Sequence, residues 1–257
     1  MNFHEYLSHY KNVIDSEVEG WFYPIDIIMT HGLMTDLQNG SHGDICEIGV
    51  AYGKSSISLS NFKRDSDNFY LYDIFTEEAR VIAENNIKKF SKGTNLVWRL
   101  QDTTDLVFDD LLFENDIRFL HIDGCHEHPA VLNDLTLFTG RMKEYGVIAI
   151  DDYNDYEYPG VQSGVIEFIL SKQNYKNWRI FAVGNNKAFM CQKKYIKDYQ
   201  HGLINYIEKA KIEYTIPFEI PYGVRQVCDN NVLLCDSREN WNTNKVFDKL
   251  FDKPTIG

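Results

Sequence analysis

Acidic side chains end two apolar segments of the sequence that have the length and composition of buried strands. Asp123 ends residues 117–123, and Asp151 with Asp152 ends residues 146–152. The carboxyl ends of neighbouring parallel strands lie at one edge of a sheet, so we expect these three carboxylates to converge. Carboxylates that close repel one another unless a proton or a cation neutralises them. Because oxygen ligands favour a hard ion, the pattern predicts Mg²⁺, or else Ca²⁺ or Mn²⁺, held by Asp123, Asp151 and Asp152.

A histidine follows Asp123 at a spacing that suits proton transfer. His126 lies three residues beyond it, and an imidazole with an ordinary pKa near 6.5 is a general base at neutral pH. A hydroxyl bound to the metal would have a lowered pKa, and His126 would accept its proton. We therefore predict His126 and Asp123 as the catalytic residues. A role for His126 or His128 as a metal ligand or a solvated loop residue stays open, and His121 is interpreted as a core histidine.

A glycine-containing turn, EIGVAYGKS at residues 47–55, joins an earlier strand to a helix. Gly49 permits a sharp turn because it has no Cβ, and Gly53 permits close approach of a ligand or a helix. Free N–H groups at the start of the helix attract an anion, either a phosphate or the methionine carboxylate of S-adenosylmethionine (SAM). Glu47 would repel a pyrophosphate, whereas it suits the positively charged amino group or sulfonium region of SAM.

Two further strands also end on acidic residues. Asp73 ends the second predicted strand, about 20 residues beyond the glycines, where an acid binds ribose hydroxyls. Asp102 ends the third, where it would face the adenine. One such acid alone is as well explained as a helix cap or a solvated loop residue, but three successive strand ends favour a cofactor. The residues predicted to contact SAM are Glu47, Gly49, Tyr52, Gly53, Ser55, Asp73, Asp102 and Asp123.

Strands and helices alternate along the middle of the chain. The predicted strands are residues 44–50, 69–75, 95–102, 117–123 and 146–152, followed by WRIFAVG and KAFMCQK, which the turn at Asn185 and Asn186 joins. Helices are predicted at residues 55–62, 77–90, 129–144 and 161–172. This alternation predicts an α/β fold: a mostly parallel, seven-stranded, Rossmann-like sheet with helices on both faces.

Three regions follow from this pattern. Residues 1–40 have apolar positions at helical spacing and are predicted as an N-terminal helical cap, in which Pro24 fits the first turn of a helix. Residues 41–194 are predicted as the SAM-binding domain. Residues 195–257 carry weaker signals and are predicted as a C-terminal extension that serves as a lid or an oligomer contact.

Composition excludes several classes of protein. The net charge of −12 disfavours nucleic acid and anionic membrane surfaces as partners. No apolar segment approaches the roughly 18 residues that span a bilayer. The five cysteines are scattered, which indicates reduced thiols and a cytoplasmic protein. The expected partner is a small-molecule hydroxyl acceptor, with a homo-oligomer as a further expectation.

Several motifs together resemble a family of bacterial class I SAM-dependent methyltransferases that includes the macrocin-type and mycinamicin-type sugar O-methyltransferases. The motifs are EIGVAYGKS, HIDGCHEHPAVLNDL, GVIAIDDY, the PGV at residues 159–161 and NNKAF. The resemblance covers about residues 43–194. It implies SAM as the methyl donor, Mg²⁺ at Asp123, Asp151 and Asp152, a histidine base at His126, and the vicinal diol of a sugar as a common acceptor. Ala51 and Cys125 depart from the family pattern.

Two other functions are compatible with the sequence. A catechol-type O-methyltransferase would use similar metal chemistry on an aromatic diol, in a pocket lined by Trp21, Phe22, Tyr23 and Tyr222. A nucleotide-binding or hydroxylase-like protein on the same fold would transfer no methyl group, although Glu47 argues against a pyrophosphate.

Overall fold

The computed structural model describes residues 3–38, 40–213 and 222–235. Its strands are β1 (Asp44–Ile48), β2 (Phe69–Asp73), β3 (Leu96–Leu100), β4 (Ile117–Ile122), β5 (Met142–Ile150), β6 (Trp178–Val183), β7 (Ala188–Gln192), β8 (Tyr222–Val227) and β9 (Asn230–Cys235). Its α-helices are α1 (Phe3–His9), α2 (Asp15–Glu17), α3 (Pro24–His31), α4 (Lys54–Phe62), α5 (Glu77–Phe90), α6 (His128–Phe138), α7 (Pro159–Leu170) and α8 (Ile196–Glu213). Two π-helical segments, Tyr10–Ile14 and Gly32–Leu37, continue the helices before them.

The strands form one mixed sheet in the order β3-β2-β1-β4-β5-β7-β6-β9-β8. Strands β1 to β5 pair in parallel, whereas β7 runs antiparallel to both β5 and β6. This is the Rossmann-like arrangement predicted from the alternation of strands and helices. The strand order reverses between β1 and β4, and ligands bind at that point in open α/β sheets.

The sheet has nine strands in the described residues rather than the predicted seven. The added hairpin β8–β9 joins β6 by parallel pairing of Ala182 with Leu233 and of Val183 with Leu234. A second difference concerns residues 129–144, which were predicted as one helix. The helix ends at Phe138 and β5 begins at Met142, because the Met142 side chain is buried and pairs with Ile117.

The N-terminal helices and α8 pack into the same core as one face of the sheet. Leu203, Ile204 and Ile207 of α8 are fully buried in that core. Gly202 lies so close to Leu37 that a Cβ on it would meet the leucine at 2.7 Å. Pro24 is in the first turn of α3, as predicted. The lid or oligomer contact predicted for residues 195–257 stays a prediction, and residues 236–257 lie outside the described residues.

None of the described helices combines the length and the apolar character needed to cross a membrane.

Candidate active site

The turn after β1 takes a conformation that requires glycine at its first position. Gly49 has φ +80°, and a Cβ placed on it would lie 1.8 Å from the carbonyl oxygen of Asp123. Gly53 also has a positive φ, +85°, directly before α4. Ala51, where the family resemblance leads one to expect glycine, tolerates φ +45° on the exposed tip of the turn. The close approach of Gly49 to Asp123 brings the ends of β1 and β4 into contact.

Asp73 holds this turn from the end of β2. Its Oδ2 accepts the N–H groups of Val50 at 2.7 Å and Ala51 at 2.9 Å. Bonds from backbone N–H groups to a charged carboxylate are strong and directional. Asp73 therefore shapes the glycine turn through Oδ2, and its Oδ1 makes neither of these bonds.

Asp102 lies on the neighbouring edge of the same cavity, after β3. Its Oδ1 accepts from the backbone N–H and the hydroxyl of Thr104, and it caps the 3₁₀ helix Thr103–Asp105. The hydrogen bonds from Thr104 lower the pKa of Asp102 below its usual value. Asp102 is therefore a helix cap, which was the alternative interpretation of such an acid. Its side chain also lines the cavity, beside Gln101 and Thr103.

Glu47 does not face the cavity, which corrects its predicted contact with the cofactor. The side chain is fully buried and does not line the cavity. Its carboxylate accepts hydrogen bonds from the Ser55 and Ser56 hydroxyls and from Nδ1 of His121 at 2.8 Å. Burial raises the pKa of Glu47 to about 7, while the serine hydroxyls oppose that shift. Its role is therefore to hold the first turn of α4 against β1.

One continuous cavity of about 750 Å³ runs along the carboxyl ends of the parallel strands. Every residue predicted at the cofactor or metal site except Glu47 and Gly53 lines it: Gly49, Tyr52, Ser55, Asp73, Asp102, Asp123, His126, Asp151 and Asp152. Trp21 and Tyr23 from the N-terminal segment form part of its mouth, together with Tyr158. Tyr222, also predicted at the pocket, has no described side chain.

Asp123, His126 and Asp152 form the first of two groups of possible ligand atoms. Nε2 of His126 lies 3.0 Å from Oδ2 of Asp152 and 3.7 Å from Oδ1 of Asp123. Both carboxylates lie within ion-pair distance of Nε2. The ring of His126 also lies over that of Tyr158, with 4.2 Å between centroids. The backbone of Asp152 is left-handed, with φ +55°.

The same charges shift the pKa values of this group. Burial and the nearby Asp151 raise the pKa of Asp123 to about 7. Asp123 and Asp152 together raise the pKa of His126 to about 10. Without a cation, the imidazole is therefore protonated at neutral pH and cannot accept a proton.

The second group contains Asp123, Asp151 and His121, but Lys187 already occupies its centre. Nζ of Lys187 lies 2.6 Å from Oδ2 of Asp151 and 2.8 Å from Nε2 of His121. The other oxygen of Asp151 accepts the N–H of Asp152. Asp151 and Asp152 do not fall in one group of ligand atoms among the described residues. The three-aspartate metal set predicted from sequence is thus divided, and Lys187 neutralises Asp151.

The first group fits a divalent cation better than the second. It offers carboxylates from Asp123 and Asp152, and the ring nitrogen of His126 lies within 4.8 Å of both, so that a cation held by the two carboxylates would lie beside the histidine. Asn186 donates from Nδ2 to Asp152 at 3.0 Å, and its buried Oδ1 has no partner. Unpartnered buried acceptors are costly unless an ion or water satisfies them. These donors suit Mg²⁺ or Mn²⁺, for which carboxylate and amide oxygens are usual ligands.

Lys187, His121 and Asn186 are residues that sequence reasoning missed or underrated. His121 was interpreted as a core histidine, which its burial confirms, yet it also bonds to both Glu47 and Lys187. The available signal was NNKAF, a lysine directly before an apolar strand. A lysine at that position is fully buried in the structure.

Part of the chain matches a known domain and a relative. Residues 46–153 match the model of a methyltransferase domain. An uncharacterized protein of Acanthamoeba polyphaga mimivirus is 29% identical over 149 residues, which cover 54% of this chain and 65% of that protein. The chain thus spans less than two thirds of the length of that relative.

Solved structures of low sequence identity share the fold. An O-methyltransferase from Bacillus cereus, in complex with SAH, superposes with a TM-score of 0.53 at 16% identity, covering 72% of this chain and 89% of that one. CalS11, described as a TDP-rhamnose 3′-O-methyltransferase of calicheamicin biosynthesis, gives 0.52 at 12% identity, covering 72% and 86%. The O-methyltransferase NovP gives 0.50 at 14% identity, covering 65% and 78%.

Residues 46–153 are thus similar to a methyltransferase domain, and the described chain has the class I, Rossmann-like fold of these O-methyltransferases.

Proposed function

We propose that the protein transfers the methyl group of SAM to a hydroxyl group of a small sugar-like or polyol acceptor, assisted by a divalent cation. The observation that carries the proposal is the continuity of the cavity. The same space is lined by Gly49, Asp73 and Asp102 at one end and by Asp123, His126 and Asp152 at the other. A cofactor held by the first set therefore faces the second set without a barrier between them.

Each end of the cavity has a separate role in this proposal. The turn and Asp73 hold the methionine and ribose parts of SAM, with Asp102 beside the adenine. His126 accepts the proton of the acceptor hydroxyl at Nε2, and Asp123 and Asp152 orient the imidazole. A cation bound at the two carboxylates would supply positive charge that lowers the pKa of a bound hydroxyl and of the imidazole. Fixed positions of donor and acceptor contribute much of the acceleration.

The charge at the mouth of the cavity supports an acceptor without negative charge. Glu19, Asp155 and Glu157 line the mouth, and no described cationic side chain forms an ion pair with any of them. Lys54 is the one lysine among the described lining residues, and its ammonium group is bonded to Asp15 and to the Gly20 carbonyl. A phosphate would be repelled here. We therefore propose a neutral or cationic acceptor rather than a nucleotide-linked sugar.

Two measurements test the proposal. Calorimetry should show SAM binding to the wild-type protein, and methyl transfer should require a divalent cation. Radiolabelled SAM is then offered with methyl glycosides, amino sugars, a catechol and a nucleotide-linked sugar, with and without Mg²⁺. We expect labelled product from the neutral or cationic sugars.

Each component of the proposal has its own contrary result. Absence of SAM binding at millimolar concentration would overturn the methyl donor. Full transfer in the presence of a chelator would overturn the cation. Preference for the catechol would replace the acceptor class, and preference for the nucleotide-linked sugar would contradict the charge argument.

A further inference from the structure

Lys187 lies at the centre of a buried polar chain that joins the two ends of the cavity. The side chain is fully buried. Its ammonium group contacts Asp151 and His121, lies 5.2 Å from the centre of the Phe22 ring, and feels the negative charge of Asp26. Burial of a lysine normally lowers its pKa, but the neighbouring carboxylates outweigh that effect here and the pKa is raised. The ammonium form is therefore the one the site holds.

One arm of the chain leads to the cofactor turn. The ammonium group has only hydrogens to offer, so Nε2 of His121 must accept and Nδ1 must carry the ring proton. Nδ1 donates to Oε1 of Glu47 at 2.8 Å. Glu47 in turn accepts the hydroxyls of Ser55 and Ser56 in the first turn of α4. Lys187 thus fixes the tautomer of His121, and His121 orients the carboxylate that anchors the start of α4.

The other arm leads to the acceptor end. Lys187 holds Oδ2 of Asp151, and Oδ1 of Asp151 accepts the N–H of Asp152 at 3.0 Å. Asp152 needs such support, because its left-handed backbone costs a non-glycine residue roughly 1–2 kcal/mol. Asn186, the residue before Lys187, holds the side chain of Asp152 as well. The β6–β7 turn therefore aims the Asp152 carboxylate at His126.

We propose that Lys187 is a positioning residue that holds the cofactor turn through His121 and Glu47 and the Asp152 carboxylate through Asp151. The cofactor arm rests on the proposed SAM site, and the second arm rests on the proposed cation site. A lysine that served only to fill and neutralise the core would affect the stability of the protein and nothing else.

The test compares four variants by calorimetry with SAM and by Mn²⁺ titration in electron paramagnetic resonance. Lys187→Met removes both arms, so we expect both dissociation constants to rise about tenfold, in the range seen for residues that orient ligating groups. His121→Phe should raise only the SAM constant. Asp151→Asn should raise mainly the Mn²⁺ constant. Lys63→Met removes another buried lysine, bonded to the Asp67 carbonyl away from the cavity, and serves as the matched control.

The SAM dissociation constants of the variants, compared with their melting temperatures, decide between a positioning role and a purely structural one. Lower melting temperatures with SAM constants within twofold of wild type in both Lys187→Met and His121→Phe would overturn the proposal. If Lys187→Met does not fold, His121→Phe alone decides the cofactor arm. A wild-type protein that binds no SAM refutes the proposed function itself, whereas binding that both substitutions leave unchanged refutes the role of Lys187.

Discussion

Replacement of Gly49 by alanine tests the contact on which the active site is built. The end of β1 touches the end of β4 at this residue, where an added Cβ would lie 1.8 Å from the carbonyl oxygen of Asp123 and 2.3 Å from its carbonyl carbon. Ordinary van der Waals contact needs about 3.5 Å, so the two strand ends must separate by roughly 1.5 Å. That movement displaces both the cofactor turn and Asp123.

The loss of stability in Gly49→Ala has two parts, which a control variant separates. Alanine at φ +80° costs roughly 1–2 kcal/mol of backbone strain. Relief of the overlap adds roughly 2–3 kcal/mol, in the upper range for single substitutions. A protein of this size loses about 2–4 °C in melting temperature per kcal/mol, so Gly49→Ala should lower it by about 10 °C. Gly40 has φ +86°, and a Cβ on it would meet no atom within 4 Å. Gly40→Ala therefore has the backbone strain without an overlap, and its melting temperature should fall by about 3 °C.

Thermal unfolding followed by circular dichroism, with SAM calorimetry on the folded protein at 15 °C, measures both effects. Gly49→Ala should also bind SAM at least tenfold more weakly, whereas Gly40→Ala should bind as wild type does. Equal melting temperatures for the two variants, together with unchanged SAM affinity in Gly49→Ala, would refute the proposed contact between the strand ends.

Three further predictions follow from single side chains. Asp73→Asn loses the charged acceptor that holds the cofactor turn, and calorimetry should show SAM affinity falling about tenfold; Asp65→Asn, on an exposed ion pair, should change nothing, and equal affinities would contradict the assignment. Asp152→Asn should weaken Mn²⁺ binding roughly 10- to 100-fold by paramagnetic resonance, and unchanged binding would exclude Asp152 from the cation site. Burial lowers the pKa of His31 to about 4. Below pH 6.5 the imidazole therefore binds a proton in the unfolded chain but not in the folded protein. Stability is therefore complete above pH 6.5 and should fall by about 3 kcal/mol as the pH drops to 4, with a shallower loss in His31→Gln during urea unfolding.

The sequence was sufficient to predict which acidic residues follow the strand ends. Chain order alone places Asp73, Asp102, Asp123 and Asp152 after successive strands, and the parallel pairing of those strands brings them to one edge of the sheet. The glycine turn could also be predicted, because a backbone with φ above zero favours glycine.

What the sequence missed depends on packing between distant segments. Glu47 was placed against the cofactor because it lies beside the turn, but side chains alternate along a strand and its face is that of His121, its partner across β1 and β4. Lys187 lies near the Phe22 ring and the Asp26 carboxylate, which both come from the distant N-terminal segment. Its ion pair with Asp151 in turn divides the three aspartates that the sequence joins in one metal site. No pattern of neighbouring residues in the sequence indicates contacts between segments that lie so far apart along the chain.

The prediction of seven strands was wrong for a similar reason. The hairpin β8–β9 carries polar residues at many positions, so its alternation is weak, and it joins the sheet by only two pairs with β6.

A crystal structure of the protein with SAH and Mn²⁺ tests the central claim most directly. We predict that SAH lies along the Gly49 turn with its ribose at Asp73, and that an anomalous Mn²⁺ peak lies between Asp123 and Asp152 in the same cavity. SAH bound elsewhere, or a Mn²⁺ peak distant from both carboxylates while SAH occupies the turn, would contradict the account.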